Sequence, residues 1–331
     1  MHIHILGICG TFMGGLAVLA KEAGHTVTGC DANVYPPMST QLQAQGIALT
    51  EGFGPEQIDL KPDLFVIGNV VSRGNPLMEE ILNRGLPYAS GPQWIGEHIL
   101  RNKWVLAVAG THGKTTTSSM LAWILEDAGY DPGFLIGGVP MNFGISARLA
   151  GKADDSNFFV IEADEYDTAF FDKRSKFVHY LPEVAIVNNL EFDHADIFSS
   201  LAEIQTAFRR FINLIPRNGQ LFGNGDDPNL ASLLDVTHCP VKRFGLGENN
   251  AVRAFNLRLG PTASEFEIPS AKFHLDLVGE LNVRNALAVV AAAKHCGLKN
   301  NQIQSAFSTF KGIKRRMEIR GISGGVTVVD D

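Results

Sequence analysis

Trp104-Val105-Leu106-Ala107-Val108-Ala109-Gly110-Thr111-His112-Gly113-Lys114-Thr115-Thr116-Thr117 restricts the fold of this chain more than any other stretch. The apolar residues before Gly110 suit a buried strand, Gly110 and Gly113 frame a short loop, and a lysine with threonines then opens a helix. That geometry turns backbone N–H groups inward, and the helix N-terminus adds partial positive charge. Lys114 can reach the terminal phosphates of a nucleotide, and the Thr115 hydroxyl can ligate Mg²⁺. The usual phosphate loop carries a glycine separated by four residues from its Gly-Lys pair. Here that position holds Val108, and Gly110 lies inside the loop instead. The order of strand, loop, lysine and hydroxyl favours a variant phosphate loop over a glycine turn before an ordinary helix. It implies a chain that handles ATP, with Gly110, Thr111, His112, Gly113, Lys114, Thr115 and Thr116 around the phosphates.

With 331 residues the chain is long enough for two domains and the start of a third. It is 45% hydrophobic and 19% charged and has 34 glycines, which fits a soluble α/β protein rich in tight turns. A net charge of −7 argues against a nucleic-acid partner, whose backbone is held mainly by Lys and Arg. Cys9, Cys30, Cys239 and Cys296 share no metal-ligand spacing and read as reduced thiols of a cytoplasmic protein. No apolar run reaches membrane-spanning length, so no membrane partner is expected, and the N-terminus reads as a strand, not a signal peptide.

Residues 2–8 have a strand pattern, and Gly7-Ile8-Cys9-Gly10-Thr11 follows before a helix that runs to Gly24. A second strand, about 26–30, ends at Asp31, where a ribose-binding acid belongs in a dinucleotide fold. Cys9 replaces the second glycine of the dinucleotide fingerprint. A site for a different nucleotide diphosphate, a nicotinamide or flavin site, and a plain packing turn all remain open at this point. Leu64–Ile67, a helix from Pro76 and a unit from Pro87 to Leu100 continue the alternation, and polar Arg101-Asn102-Lys103 marks a domain boundary. Beyond it come strands at 157–161 and 184–187, a helix over 201–214, antiparallel strands over 251–278 with a Gly260-Pro261 turn, and helices at about 282–296 and 300–310. The expected architecture is α/β. A Rossmann-like domain spans 1–102 and a central phosphate-loop ATPase domain 103–314. A C-terminal domain begins at 315–331 and is cut off there, since Gly325–Asp331 starts a strand and stops.

Glu162-Ala163-Asp164-Glu165 follows the apolar run Phe158–Ile161, where α/β sheets present ligands. A Mg²⁺-nucleotide site needs one or two carboxylates with waters beside them, and Glu162 directly follows the strand. Asn188-Asn189-Leu190-Glu191-Phe192-Asp193-His194-Ala195-Asp196 ends another strand and can offer an imidazole to a metal with carboxylates to orient it. A structural histidine and a solvated acidic loop are the alternatives. Asn282 and Asn285, three apart on one helical face, can read a base through their amides, although Asn282 could equally cap the helix. Lys314-Arg315-Arg316 can clamp phosphates or simply form a charged surface turn.

Taken in order, Gly110–Thr117, Glu162–Glu165, Asn189–Asp196, Asn282 with Asn285, and Arg315-Arg316 resemble the Mur ligase family of bacterial cell-wall synthesis along the whole chain. Gly7–Gly15, Asp31–Ser39 and Phe171–Tyr180 resemble the branch that adds a murein tripeptide to UDP-N-acetylmuramate, and read differently in the L-alanine-adding branch. The resemblance implies that Gly7, Cys9, Gly10, Thr11, Asp31, Asn69, Ser72 and Arg73 hold the UDP-sugar. It places Lys114 on the β- and γ-phosphates, Thr115 and Glu162 on one Mg²⁺, and His194 on a second, making Lys114, Glu162 and His194 catalytic. Asn282 and Asn285 would face adenine, Arg316 the phosphates, and Asp330 the ribose.

Two departures stand out. Leu281 occupies the position of a usual histidine, which implies weaker polar contact there. Between Lys176 and Lys242 there is no lysine that could play the carbamylated part some members use. The implied reaction is ATP-dependent amide ligation through an acyl phosphate, with residues 1–331 alone expected to bind ligands but ligate slowly or not at all. The L-alanine-adding reaction, a non-catalytic nucleotide- or UDP-sugar-binding module, and a nicotinamide oxidoreductase are the alternatives.

Overall fold

The computed structural model describes residues 1–151, 157–235, 237–314, 318–324 and 326–330. Its first unit is built from β1 (His2–Leu6), α1 (Thr11–Glu22), β2 (Thr26–Asp31), α2 (Met38–Ala44), β3 (Ala48–Glu51), β4 (Leu64–Ile67), α3 (Pro76–Asn83), β5 (Tyr88–Ser90) and α4 (Gly91–Ile95). The strands are parallel in the order β3-β2-β1-β4-β5. Connections leave β1 and β4 in opposite directions, which opens a crevice at their carboxyl ends. The Gly7–Gly10 loop and the loop after β4 meet there.

The second unit starts with β6 (Trp104–Ala109) and α5 (Lys114–Asp127), followed by β7 (Gly133–Leu135), β8 (Ala147–Arg148) and β9 (Phe158–Glu162). A hairpin of β10 (Asp167–Ala169) and β11 (Asp172–Ser175) precedes β12 (Val184–Val187), α6 (Leu201–Ile212), β13 (Gln220–Asn224), α7 (Pro228–Leu234), β14 (Val241–Gly245) and β15 (Val252–Arg253). The large sheet has the order β15-β14-β13-β12-β6-β9-β7-β8, with only β8 antiparallel to its neighbour. Strands buried on both faces need apolar residues throughout, which is why β6, β9 and β12 read as near-continuous hydrophobic runs. Along β6, Val105, Ala107 and Ala109 join one apolar cluster while Leu106 and Val108 join the other, as the strand's period of two dictates.

The first of those clusters runs through both units, from Ile3 and Leu16 to Leu135 and Phe159. At the crossing of α1 with β7 and β8, a Cβ on Gly15 would run into the Leu135 side chain. A Cβ there would fit only if the end of the Leu135 side chain moved aside. The second cluster lies under α5, α8 (Glu280–His295) and α9 (Asn300–Thr309). In α5 the buried Ser118 and Ser119 hydroxyls donate to the Lys114 and Thr115 carbonyls, so a helix rich in hydroxyls can be buried without unpaired groups.

The expected antiparallel segment is a meander of β16 (Phe255–Leu259), β17 (Ser264–Ile268) and β18 (Ala271–Leu275), with Gly260-Pro261 in its first connection. β15 instead extends the large sheet in parallel. β19 (Glu318–Ser323) and β20 (Val326–Asp330) form an antiparallel hairpin. All four cysteines are free, and among the described residues no helix is long and apolar enough to cross a membrane.

His4 shows how firmly the first sheet is closed. Its ring is 0% exposed, with Nδ1 2.8 Å from Thr28 Oγ1 and Nε2 3.1 Å from Gln57 Oε1. Burial, only partly offset by the Gln57 hydrogen bond and reinforced by His2, lowers its pKa from 6.5 to about 4. The unfolded chain therefore binds a proton that the folded chain does not. This share of stability is complete above pH 6.5 and is lost as pH falls toward 4. Thermal unfolding followed by circular dichroism should give a melting temperature that drops across that window, with a flatter dependence in His4→Gln; parallel curves would exclude His4 as the source.

Candidate active site at the junction of two cavities

β6 lies between β12 and β9, with Ala109 opposite Val187 and Val108 opposite Glu162. Three loops therefore leave one sheet edge side by side: Gly110–Gly113, Asn188–Asp196 and Ala163–Tyr166. Gly110 adopts φ +135°, and a Cβ there would meet the Asn188 and Asn189 backbone nitrogens at 3.1 Å. Asn189 fastens the phosphate loop to its neighbour, accepting from the His112 N–H at 2.7 Å and donating to the His112 carbonyl at 3.1 Å.

Over the α5 N-terminus lies a cavity of about 430 Å³ lined by Thr111–Thr116, Glu162, Leu277, Leu281, Asn282 and Asn285. The loop and the two asparagines, distant in sequence, thus share one wall. Gly279 occupies the cap position of α8, so Asn282 is not the cap. Asn282 lies in the first turn and donates to the Val278 carbonyl at 2.9 Å, and its Oδ1 accepts from Asn285 at 3.3 Å. Apolar Leu277, Val278 and Ile313 beside these amides suit a flat, polar-edged ring.

Lys114 folds back over the loop. Its Nζ donates to the Gly110 carbonyl at 2.8 Å and to both Glu165 carboxylate oxygens at 3.0 and 2.8 Å. Glu165, with a side chain only 2% exposed, also receives His194 Nε2 at 3.1 Å. His194 has φ +56° and packs its ring on Tyr166, centroids 4.4 Å apart. Glu162 accepts from the Thr115 hydroxyl at 3.0 Å and the Gly137 N–H at 2.8 Å. Burial pushes the Glu162 carboxyl up, opposed by the Gly137 hydrogen bond and the Lys114 charge. Thr115 and Glu162 offer a hydroxyl and a carboxylate, the hard donors Mg²⁺ takes. Among the described residues no three His, Cys, Asp or Glu side chains converge on a metal position. A cation held largely by phosphate oxygens and water fits that donor set.

A second cavity, of about 280 Å³, lies between the two units and is lined by Gly7, Gly10, Thr11 and Asn69 on one side and Gly137, Glu162, Asp164 and Lys176 on the other. Glu162 lines both cavities. The remaining residues singled out from the sequence lie around this frame. Asp31 accepts from the Cys9 N–H at 2.9 Å, tying the glycine loop to β2. Ser72 and Arg73 belong to the loop after β4 but do not line the cavity, and exposed Arg73 is paired with Glu79 at 2.9 Å. Asp330 closes β20 opposite Glu318 and does not line the first cavity. Arg316 lies outside the described residues.

Sequence reasoning gave no role to Glu165, Asp164, Lys176 or Asn188. Glu165 lies in the quoted acidic motif and could have been found there. Asn188 donates to the buried Thr117 hydroxyl at 2.8 Å, a contact that spacing along the chain does not reveal.

This fold and site define a phosphate-loop α/β enzyme with a second nucleotide-type domain, and comparison with known proteins names the class. The model of the Mur ligase family catalytic domain matches residues 2–103 and that of the Mur ligase middle domain residues 108–293. The chain belongs to the Mur ligase family. It is 52% identical over 336 residues to the UDP-N-acetylmuramate–L-alanyl-γ-D-glutamyl-meso-2,6-diaminoheptandioate ligase of Escherichia coli K12, covering 100% of this chain and 72% of that protein. The solved UDP-N-acetylmuramate:L-alanyl-γ-D-glutamyl-meso-diaminopimelate ligase from Neisseria meningitides is 54% identical, with a TM-score of 0.89 over 95% of this chain and 99% of that one. A UDP-N-acetylmuramate–L-alanine ligase from Clostridium acetobutylicum is 32% identical over 99% of this chain and 70% of that protein.

Since only glycine fits at position 110, Gly110→Ala should strain the loop by about 1–3 kcal/mol and weaken ADP binding by about tenfold or more. Calorimetric titration of ADP checks this, and unchanged affinity would show that the loop does not hold the nucleotide.

Proposed function

We propose that the chain is an ATP-dependent amide ligase of murein recycling in the cytoplasm. It joins the lactyl carboxylate of UDP-N-acetylmuramate to the L-alanyl amine of L-Ala-γ-D-Glu-meso-diaminopimelate. The observation that carries this is Glu162 in the shared wall of the two cavities, with Lys114 and His194 beside it through Glu165. One cavity suits a nucleotide and the other a UDP-sugar, so their reactive ends meet at that wall. The similarity to tripeptide-adding ligases at 52% and 54% identity, against 32% for the L-alanine-adding one, supports the choice of acceptor.

A bare carboxylate is a poor acyl donor. A carboxylate oxygen attacks the γ-phosphorus of ATP, the bond to ADP breaks, and an acyl phosphate results. The amine nitrogen then attacks the acyl carbon, the carbon–oxygen bond to phosphate breaks, and the amine loses a proton. Two anions must approach in the first step, and Lys114, released from Glu165 onto the β- and γ-phosphates, lowers their repulsion. Mg²⁺, held by Thr115 and Glu162 with a second ion at His194, supplies further neutralising charge when bound. Asn282 and Asn285 take the adenine, Arg316 the phosphates, and Asp330 the ribose. Gly7, Cys9, Gly10, Thr11, Asp31, Asn69, Ser72 and Arg73 hold the UDP part. The domains implied are 1–102, 103–314 and a third beginning at 315–331.

The test incubates the full-length protein with UDP-N-acetylmuramate, ATP and Mg²⁺, and offers the tripeptide or L-alanine in separate reactions read by mass spectrometry. A tripeptide adduct with little alanine adduct is expected; alanine alone would move the enzyme to the other branch. With ¹⁸O in the lactyl carboxylate, one label should appear in the released phosphate, and unlabelled phosphate would exclude the acyl phosphate. Lys114→Ala should lower turnover by about a thousandfold or more, because charge neutralisation in the transition state is lost. Its affinity for the UDP-sugar should stay near the parental value, and phosphate release at the parental rate would contradict the role of Lys114.

A further inference from the structure

An anion entering the cavity between the two units faces two carboxylates, Glu162 and Asp164. Among the described residues that line it, Lys176 is the sole cation. A buried lysine is expensive unless paired, and this one has a side chain only 9% exposed. Its backbone N–H donates to the Tyr166 carbonyl at 2.9 Å, which fixes it beside the loop that follows β9. Its Nζ donates to Asp164 Oδ2 at 2.6 Å and lies 5.6 and 5.7 Å from the ring centroids of Phe12 and Tyr166.

These neighbours give the ammonium a direction. Phe12 is in the first turn of α1, next to the glycine loop, and the Tyr166 ring packs on His194. Lys176 thus stands between the glycine-loop side of the cavity and the reacting groups. An ammonium has three N–H donors, and Asp164 is its one side-chain hydrogen-bond partner among the described residues. Lys176 neutralises the Asp164 carboxylate it pairs with, so the cavity does not present that charge unpaired to an incoming anion.

We infer that Lys176 binds the lactyl carboxylate of the UDP-sugar and holds it at the Glu162 wall for attack on the nucleotide. This rests on the ligase function proposed above. Of the two anionic parts of that substrate, the diphosphate has the N–H groups of the glycine loop and α1 to receive it. The carboxylate belongs at the reacting end, where Lys176 is tethered to Asp164, two residues beyond Glu162. Lys176 is thereby a residue that tells a sugar bearing the lactyl acid from one without it.

The test titrates UDP-N-acetylmuramate and UDP-N-acetylglucosamine, which lacks the lactyl group, against the full-length parent, Lys176→Arg, Lys176→Met, and Lys176→Met combined with Asp164→Asn. The double variant removes both charges of the buried pair, so its fold does not carry an unpaired carboxylate. Lys176→Met should weaken UDP-N-acetylmuramate about 10- to 100-fold and leave UDP-N-acetylglucosamine within about twofold. The double variant should remain weak, and Lys176→Arg should recover most of the affinity. Equal losses for both sugars would overturn the carboxylate contact. Parental affinity in the double variant would overturn it too, because Lys176 would then only neutralise Asp164. A parent that binds neither sugar nucleotide would instead overturn the ligase function itself.

Discussion

Parallel pairing of β6 with β9 on one side and β12 on the other carries three loops to a single sheet edge, in a register that sets Val108 beside Glu162 and Ala109 beside Val187. The phosphate loop and the two loops beside it in the candidate site depend on that register. A shift of one residue would turn the apolar faces of β6 over and move Glu162 away from Thr115. The strands hold it because both faces are buried, one against the first unit and one under α5, α8 and α9. Gly15 in α1 lets the first unit press onto β7, which gives the second cavity its other wall.

A short acidic loop then distributes charge. Glu162 takes the Thr115 hydroxyl, Asp164 takes Lys176, and Glu165 takes both Lys114 and His194. Two lysines that would otherwise be buried and unpaired are each matched by an acid from the same loop. Buried pairs of this kind add little net stability, since desolvation offsets attraction. In the function proposed above, each ammonium is held in place with donors that an anionic ligand takes over. In that reading two negatively charged substrates approach one another from opposite cavities.

The phosphate loop was legible because its chemistry is local. Glycine, lysine and threonine in that order after an apolar run have few other structural uses, and Asn282 with Asn285 are linked by helical spacing. Asp31 was singled out by its position after β2; its side chain accepts from the Cys9 N–H, a loop-holding contact that spacing does not reveal. Lys176 could not be read at all. It reaches the site because the β10–β11 hairpin folds back onto the loop after β9, a tertiary event with no mark in the local pattern. Short elements such as α2 and β3 also escaped, since a few residues cannot establish a period.

The most direct measurement is a crystal structure of the full-length protein with UDP-N-acetylmuramate and a non-hydrolysable ATP analogue bound together. The account predicts the nucleotide over the α5 N-terminus, the UDP-sugar between the two units, and the lactyl carboxylate facing the γ-phosphate across the Glu162 wall. A sugar nucleotide bound elsewhere, or a carboxylate turned away from Glu162 and Lys114, would contradict it.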